Sequence, residues 1–420
     1  MPHDNNFQHS KYSRTNPGER VLYPVYQEGK SVGSPGWIAG MGESIDRMIK
    51  SGVRGVLFMS GNPYSDLFGS GRLDEVGGLK RGYSRGIPGI ESLLSLLRPD
   101  SNGIGNADDV QLPLRNAPEC WGKLDNAVQD VGNFSSAYIN AFQGTVDSTA
   151  QGSLRVARYL WSNVNHHLGR AKAVLELLEY LEDWAKEQSF QPNERLLVQA
   201  HGHAGQLLSI LSNLVMSEES SNRQILFQVL SAHHDRTGDP DLNPDRLERL
   251  YRRLTEQTFL GGALLDVVTY GTPVRGGWET SGIGKLLHIV NHRPVRGDGK
   301  KWLAKMELPQ IAWEIPMLSG GDYIQQLAVA GTDHSLESSA QEFVNQEIRE
   351  ILEPYDGFER WLECVRRGTR CHNDGTCLLV DYQVSGESNP RTHLYGHGYY
   401  TQVRTMLFHH SQIVSQFYSR

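Results

Sequence analysis

Cysteine is scarce in this chain, and so are long apolar runs. Four cysteines (Cys120, Cys364, Cys371 and Cys377) stand in 420 residues. That is too sparse for a disulfide framework, and they read as reduced thiols. No stretch approaches the roughly 18 consecutive apolar residues that span a bilayer, which argues against an integral membrane segment. Positive charge is short as well: 41 Lys and Arg against 48 Asp and Glu leave a net charge of −7. A chain so balanced has no basic footprint for nucleic acid. The first residues, Met1-Pro-His-Asp-Asn-Asn6, are polar and lack the apolar core of a signal peptide, so the expected location is cytoplasmic. There is no internal repeat and no signal for an oligomeric state.

Glycine, by contrast, is plentiful, with 44 residues clustered where apolar runs end. Residues 1–18 are polar and read as a flexible segment; 19–420 read as a single domain. Arg20–Tyr26 contains Pro24, which predicts a strand at a sheet edge. A helix is predicted over 40–51 and a buried strand over Gly55–Asn62. Residues 65–130 form a long Gly-rich insertion holding one amphipathic helix, Ile90–Leu97. A strand is predicted at Ala137–Phe142, a helix over 154–164, and a long amphipathic helix over Arg170–Gln188. Helical segments at 224–230 and 247–254 lead to a buried strand, Leu264–Tyr270. Residues 274–320 read as an irregular insertion with Trp278, Trp302 and Trp313. A strand at Ile324–Ala330, a helix at 340–352, a strand at Cys377–Gln383 and a last helix through Met406 and Val414 complete the order. Strands alternating with helices predict an α/β fold, with a mainly parallel central sheet covered by helices on both faces.

The chain is organised around residues 195–216. Leu196, Leu197 and Val198 form a short apolar run that suits a buried strand. His201-Gly202-His203-Ala204-Gly205 follow, and then Leu207, Leu208, Leu211, Leu214 and Val215 recur at helical spacing. A strand turning sharply through small residues into a helix is the architecture of a nucleophile elbow. Ala200-His201-Gly202-His203-Ala204-Gly205 resembles the Gly-x-Ser-x-Gly elbow of the α/β-hydrolases, of the lipase and esterase kind. Gly202 stands where that family has its serine. A second register puts His203 at the apex and His201 in the first small-residue position.

The resemblance implies a triad in chain order nucleophile, acid, histidine. Asp333, which ends Gly331-Thr-Asp333, fits the acid slot, and Asp374 in Asn373-Asp-Gly375 is its rival. His397, between Gly396 and Gly398, fits the base slot, with His410 as the alternative in what reads as helix interior. Asp333 also reads as a helix cap, Asp374 as a turn residue and His397 as a structural loop histidine. The implied oxyanion hole uses the backbone N–H of His203 and one from Gly61 or Asn62. Gly205 lets helix and strand approach closely. Residues 274–320 would form a cap over the site. A zinc site built from His201, His203, Asp333 and His397 is a weaker reading, because two histidines flanking an apex point apart; no cofactor is expected. Ser209 and Ser212 read as packing residues of the elbow helix.

Glycine cannot be acylated. The resemblance therefore implies a protein impaired or inactive as a serine hydrolase. Its alternatives are an ester or lipid hydrolase that uses His203 or another non-serine group, and a pseudoenzyme that binds a small ester, a lipid-like ligand or a partner.

Overall fold

Apolar side chains alternate between two layers along each central strand, and this pattern builds a sheet buried on both faces. In the computed structural model, Leu57 and Met59 join one core cluster while Val56 and Phe58 join the other. Leu196 and Val198 likewise face opposite to Leu197, and Val267 opposite to Val268. Burying one such side chain fully is worth about 1.5–3 kcal/mol, so these strands leave little choice of register.

The structure describes residues 21–61, 118–149, 154–161, 166–216, 221–274, 277–292, 321–322, 324–325, 339–352, 372, 374–384, 393 and 396–419. In chain order these hold β1 (Val21–Leu22), β2 (Val25–Gln27), α1 (Pro35–Lys50), β3 (Val53–Met59), α2 (Pro118–Val128), α3 (Ser136–Thr149) and β4 (Arg155–Tyr159). Then come α4 (His167–Glu187), β5 (Arg195–His201), α5 (Ala204–Leu214), α6 (Ser221–Thr237), α7 (Pro244–Thr255) and β6 (Leu264–Tyr270). The last are β7 (Lys285–Asn291), α8 (Ser339–Leu352), β8 (Thr376–Gln383) and α9 (Val403–Phe417).

The strand order is β1-β8-β7-β6-β5-β3-β4, and β2 also pairs with β8. Every pairing is parallel. Helices α1, α3 and α9 supply one layer, through Ile45, Phe142 and Ile413 among others. Helices α4 to α8 supply the other, through Leu178, Leu211, Leu230, Leu250 and Ile348. The fold is thus α/β with helices on both faces, and the expected edge position of the strand around Pro24 is met. Local signals set the helix ends. Ser34 caps α1 by accepting from Trp37 N, Pro35 opens it, and Arg47 and Lys50 sit in its last turn.

Four expectations are overturned. Ala137–Phe142 lies in a helix, because Tyr138, Phe142, Thr145 and Val146 are all buried at helical spacing. The helix expected over 154–164 contains an edge strand instead: Arg155–Tyr159 pairs residue for residue with Gly55–Met59. The segment 274–320 is not wholly an insertion. Lys285–Asn291 is a central strand between β6 and β8, with Leu287 and Ile289 in one core layer and Leu286 in the other. Ile324 and Gln325 are helical rather than extended. The segment 1–18, the helix at 90–97, Trp302, Trp313, Asn62 and Asp333 lie outside the described residues.

Candidate active site

The chain leaves β3 for β4 on one side, then returns to place β5 on the other side of β3. That reversal is a topological switch point, and ligands of open α/β sheets bind outside the carboxyl ends of the strands there. Gly202 follows β5 at this edge, with a backbone φ of +57°, in the left-handed region. Its N–H donates to Tyr270 O at 2.8 Å, and its carbonyl accepts from Thr272 Oγ1 at 2.9 Å. The apex is therefore held on both sides by the turn that ends β6. A Cβ on Gly205 would come within 2.0 Å of Thr272 Oγ1, which is the close approach the elbow requires.

His397 faces this apex. A Cβ built on Gly202 would lie 2.9 Å from His397 Nε2. The other ring nitrogen, Nδ1, donates to Asp322 Oδ2 at 2.8 Å. Tyr400 donates its hydroxyl to the same carboxylate oxygen at 2.9 Å, and the N–H of Gln325 donates to Asp322 Oδ1 at 2.8 Å. Asp322 is wholly buried. The pair rests on Gly271, at φ +56°, where a Cβ would meet Asp322 Oδ2 at 2.6 Å and His397 Nδ1 at 3.0 Å. No other residue type fits that turn without displacing the pair.

His201 lies beside His397. Its Nε2–H donates to the carbonyl of His397 at 2.9 Å, and the two rings are 4.3 Å apart. Burial first, and then the neighbouring His397, hold the His201 pKa well below its ordinary value, so this imidazole stays neutral. His203 occupies the N-cap position of α5 and is half-buried. Gly61 packs against the elbow: a Cβ there would lie 2.7 Å from His203 N.

The carboxylate at His397 is thus Asp322, which the sequence reading did not weigh. Its signal is the Gly320-Gly321-Asp322 run, masked by the neighbouring apolar stretch 324–330 that reads as a strand. Asp374 does not reach His397. It precedes β8, three strands across the sheet from β5, on the side from which the strands start. Gly61 is not a spare oxyanion donor either, because its N–H is given to His201 O at 2.9 Å. His410 is helix interior as read. It bonds Met406 O and Gln199 Nε2 through its two ring nitrogens, and burial lowers its pKa to about 4. Ser209 and Ser212 donate to the backbone of Gly277 and Ser209. Among the described residues, no three His, Cys, Asp or Glu side chains stand together as metal ligands.

A separate cleft of about 450 Å³ lies near the start of β5, between the ends of α4 and α7, and is lined by Phe190, Leu260, Arg252 and Arg253. It opens at the opposite edge of the sheet from Gly202. Comparison with protein-family models, with curated proteins and with solved structures returns no match for this chain.

Proposed function

We propose that the chain is an α/β-hydrolase-fold protein of the lipase and esterase kind that keeps its acid and base but does not form an acyl-enzyme. Its ligand is a small ester or lipid-like molecule held at the Gly202 apex. The observation that carries this reading is the aim of His397, whose Nε2 lies 2.9 Å from the position of a Gly202 Cβ while its Nδ1 is engaged by Asp322. In a serine hydrolase that geometry lets the imidazole take the serine proton while the carboxylate orients the ring and stabilises its charged form. Chain order supports the same reading. The apex follows β5, the acid follows β7 and the histidine follows β8.

With glycine at the apex there is no hydroxyl to deprotonate and no bond to an acyl carbon. The ligand's ester stays intact on this route. The N-terminus of α5, whose cap residue His203 makes no side-chain capping bond, favours the carbonyl or acid end of such a ligand.

Gly202→Ser tests this. The φ of +57° is strained for serine, at about 1–3 kcal/mol, and the His397 ring must withdraw by a few tenths of an ångström to admit the Cβ. The wild type should not be labelled by a fluorophosphonate probe; the variant should be labelled and should hydrolyse a short-chain p-nitrophenyl ester. His397→Ala added to it should remove both gains. A folded Gly202→Ser protein that neither labels nor hydrolyses would overturn the reading. Wild-type hydrolysis lost in His203→Ala and kept in Asp322→Asn would replace it with chemistry at His203.

A further inference from the structure

Between the acid loop and the base loop stands a residue that bonds the backbone of both. Asn291 is the last residue of β7 and is wholly buried. Its Nδ2 donates to Gly321 O at 3.2 Å and to Gly396 O at 3.0 Å. Its Oδ1 accepts from Gly321 N at 3.2 Å. Gly321 immediately precedes Asp322, and Gly396 immediately precedes His397. One amide therefore grips the acid loop by both backbone groups of a single residue, and the base loop by a carbonyl. The backbone N–H of Asn291 adds a third link. It donates to the Tyr400 hydroxyl at 2.6 Å, and that hydroxyl donates onward to Asp322 Oδ2.

We propose that Asn291 is the positioning residue of the Asp322–His397 pair. Its side-chain amide holds the acid loop and the base loop in one register, and its N–H fixes the Tyr400 hydroxyl against the carboxylate. The chemistry needs an amide here. An acceptor and a donor on one planar group meet the N–H and C=O of Gly321 together, with a second donor left for Gly396. The two loops also touch directly, since a Cβ on Gly396 would fall 1.8 Å from Gly321 O. At the point of contact both residues are glycines with no side chain to set the offset, and the buried amide bonds the backbone of both. This role rests on the function proposed above, because positioning matters only if the pair acts.

The first measurement does not depend on that function. In the wild-type protein the His397 Nδ1–H, held by Asp322, is expected to give a low-field proton resonance, assigned by its loss in His397→Ala. Asn291→Leu should abolish or broaden this resonance. Tyr418→Phe, which alters a buried carboxylate elsewhere in the sheet, should leave it in place. The second measurement uses Gly202→Ser. Adding Asn291→Leu should slow fluorophosphonate labelling about 10²-fold, the scale of an ångström-sized misplacement, through kcat rather than KM for a p-nitrophenyl ester. If Asn291→Leu does not fold, Tyr400→Phe keeps the Asn291 amide and removes the two hydrogen bonds that pass through the hydroxyl, and it should weaken the resonance and slow labelling in the same direction. An unchanged resonance together with a labelling rate within about twofold of the parent would overturn the proposal. A perturbed resonance with no labelling in Gly202→Ser itself would sustain the positioning role and sink the function instead.

Discussion

Two buried carboxylates stand at different levels of the same sheet, and each accepts a hydrogen bond from a tyrosine near the C-terminus. Asp266, in the first half of β6, accepts from Tyr418 at 2.7 Å and is gripped by Arg195 at 2.8 and 3.0 Å. Asp322, at the carboxyl edge, accepts from Tyr400 at 2.9 Å and from His397 at 2.8 Å. Both side chains are wholly buried. The difference lies in the cationic partner. A guanidinium holds its proton at any working pH, so the Arg195–Asp266 pair can only brace the strands it joins. An imidazole has a second ring nitrogen that can take or give a proton, which is the role proposed for His397 beside Asp322. Placement completes the contrast. His397 faces Gly202 at the switch point, whereas Arg195 begins the strand that leads there.

The largest effect should separate these two carboxylates directly. In the Gly202→Ser background, Asp322→Asn should lower labelling and ester hydrolysis by about 10⁴-fold, as loss of the orienting acid does in triads generally. Asp266→Asn in the same background should leave both rates within a few-fold, measured at a temperature where both proteins are folded. Equal losses would mean that the two sites are coupled and that the contrast is false.

Acid should expose a second difference, between histidines with and without a carboxylate. His372, His409 and His410 have none on their rings. Burial lowers His372 and His409 to about 3 and His410 to about 4. The unfolded chain, near pKa 6.5 at each, binds more protons below that pH, so stability rises with pH across this range. Their contribution is complete above about pH 7 and is lost as pH falls through 6.5 toward the folded values. The loss is about 1.4 kcal/mol per histidine by pH 5.5, or about 4 kcal/mol for the three. Urea midpoints at pH 7 and 5.5 measure it. A flat midpoint would show that these rings find a partner for a second proton.

How much of this was legible follows from where physics is local. The turn after β5, β5, β6, β8 and the helices read over 40–51 and 340–352 are written in apolar spacing and small residues, which act within a dozen positions. The segment around Tyr138 and Phe142 failed because two aromatics four apart in an alternating run satisfy both periods, and only packing on Phe58 chooses the helix. The strand Lys285–Asn291 hid among tryptophans and glycines, although its own run, Leu-Leu-His-Ile-Val, is strand-like. His397 was legible from its flanking glycines. Asp322 was not, because its Gly-Gly-Asp run stands beside a stretch that reads as a strand and its partner lies 75 residues away. Asn291 and Tyr400 were invisible for the same reason.

A smaller effect is expected where the brace is broken outright. Asp266→Ala leaves the Arg195 guanidinium, one-fifth exposed, without its main partner. Removing one member of a buried pair costs about 3–5 kcal/mol, and partial exposure of Arg195 places this case near about 3 kcal/mol. Urea denaturation at pH 7 measures the loss. A cost below about 0.5 kcal/mol would show that the pair is no more than a surface ion pair in effect.

The smallest change sharpens the comparison most, because it removes one hydroxyl at each site. Tyr418→Phe removes the hydroxyl that donates to Asp266 Oδ2, while Arg195 still engages both carboxylate oxygens. Burial is the chief reason that the Asp266 pKa is raised, and the Tyr418 bond and Arg195 act against it. Losing the hydroxyl should therefore raise that pKa further and cost about 1.5 kcal/mol, the lower end for a hydrogen bond to a charged group. Because the folded-state pKa would move further above the unfolded value, the cost should be full at neutral pH and shrink as the carboxylate protonates in acid. Tyr400→Phe removes the matching hydroxyl at Asp322 and with it the acceptor of the Asn291 N–H, so its stability cost should be larger. It should also slow Gly202→Ser labelling, whereas Tyr418→Phe should not. If both phenylalanine variants cost stability and neither changes labelling, the two carboxylates differ in position only, and the acid–base reading of Asp322 loses its support.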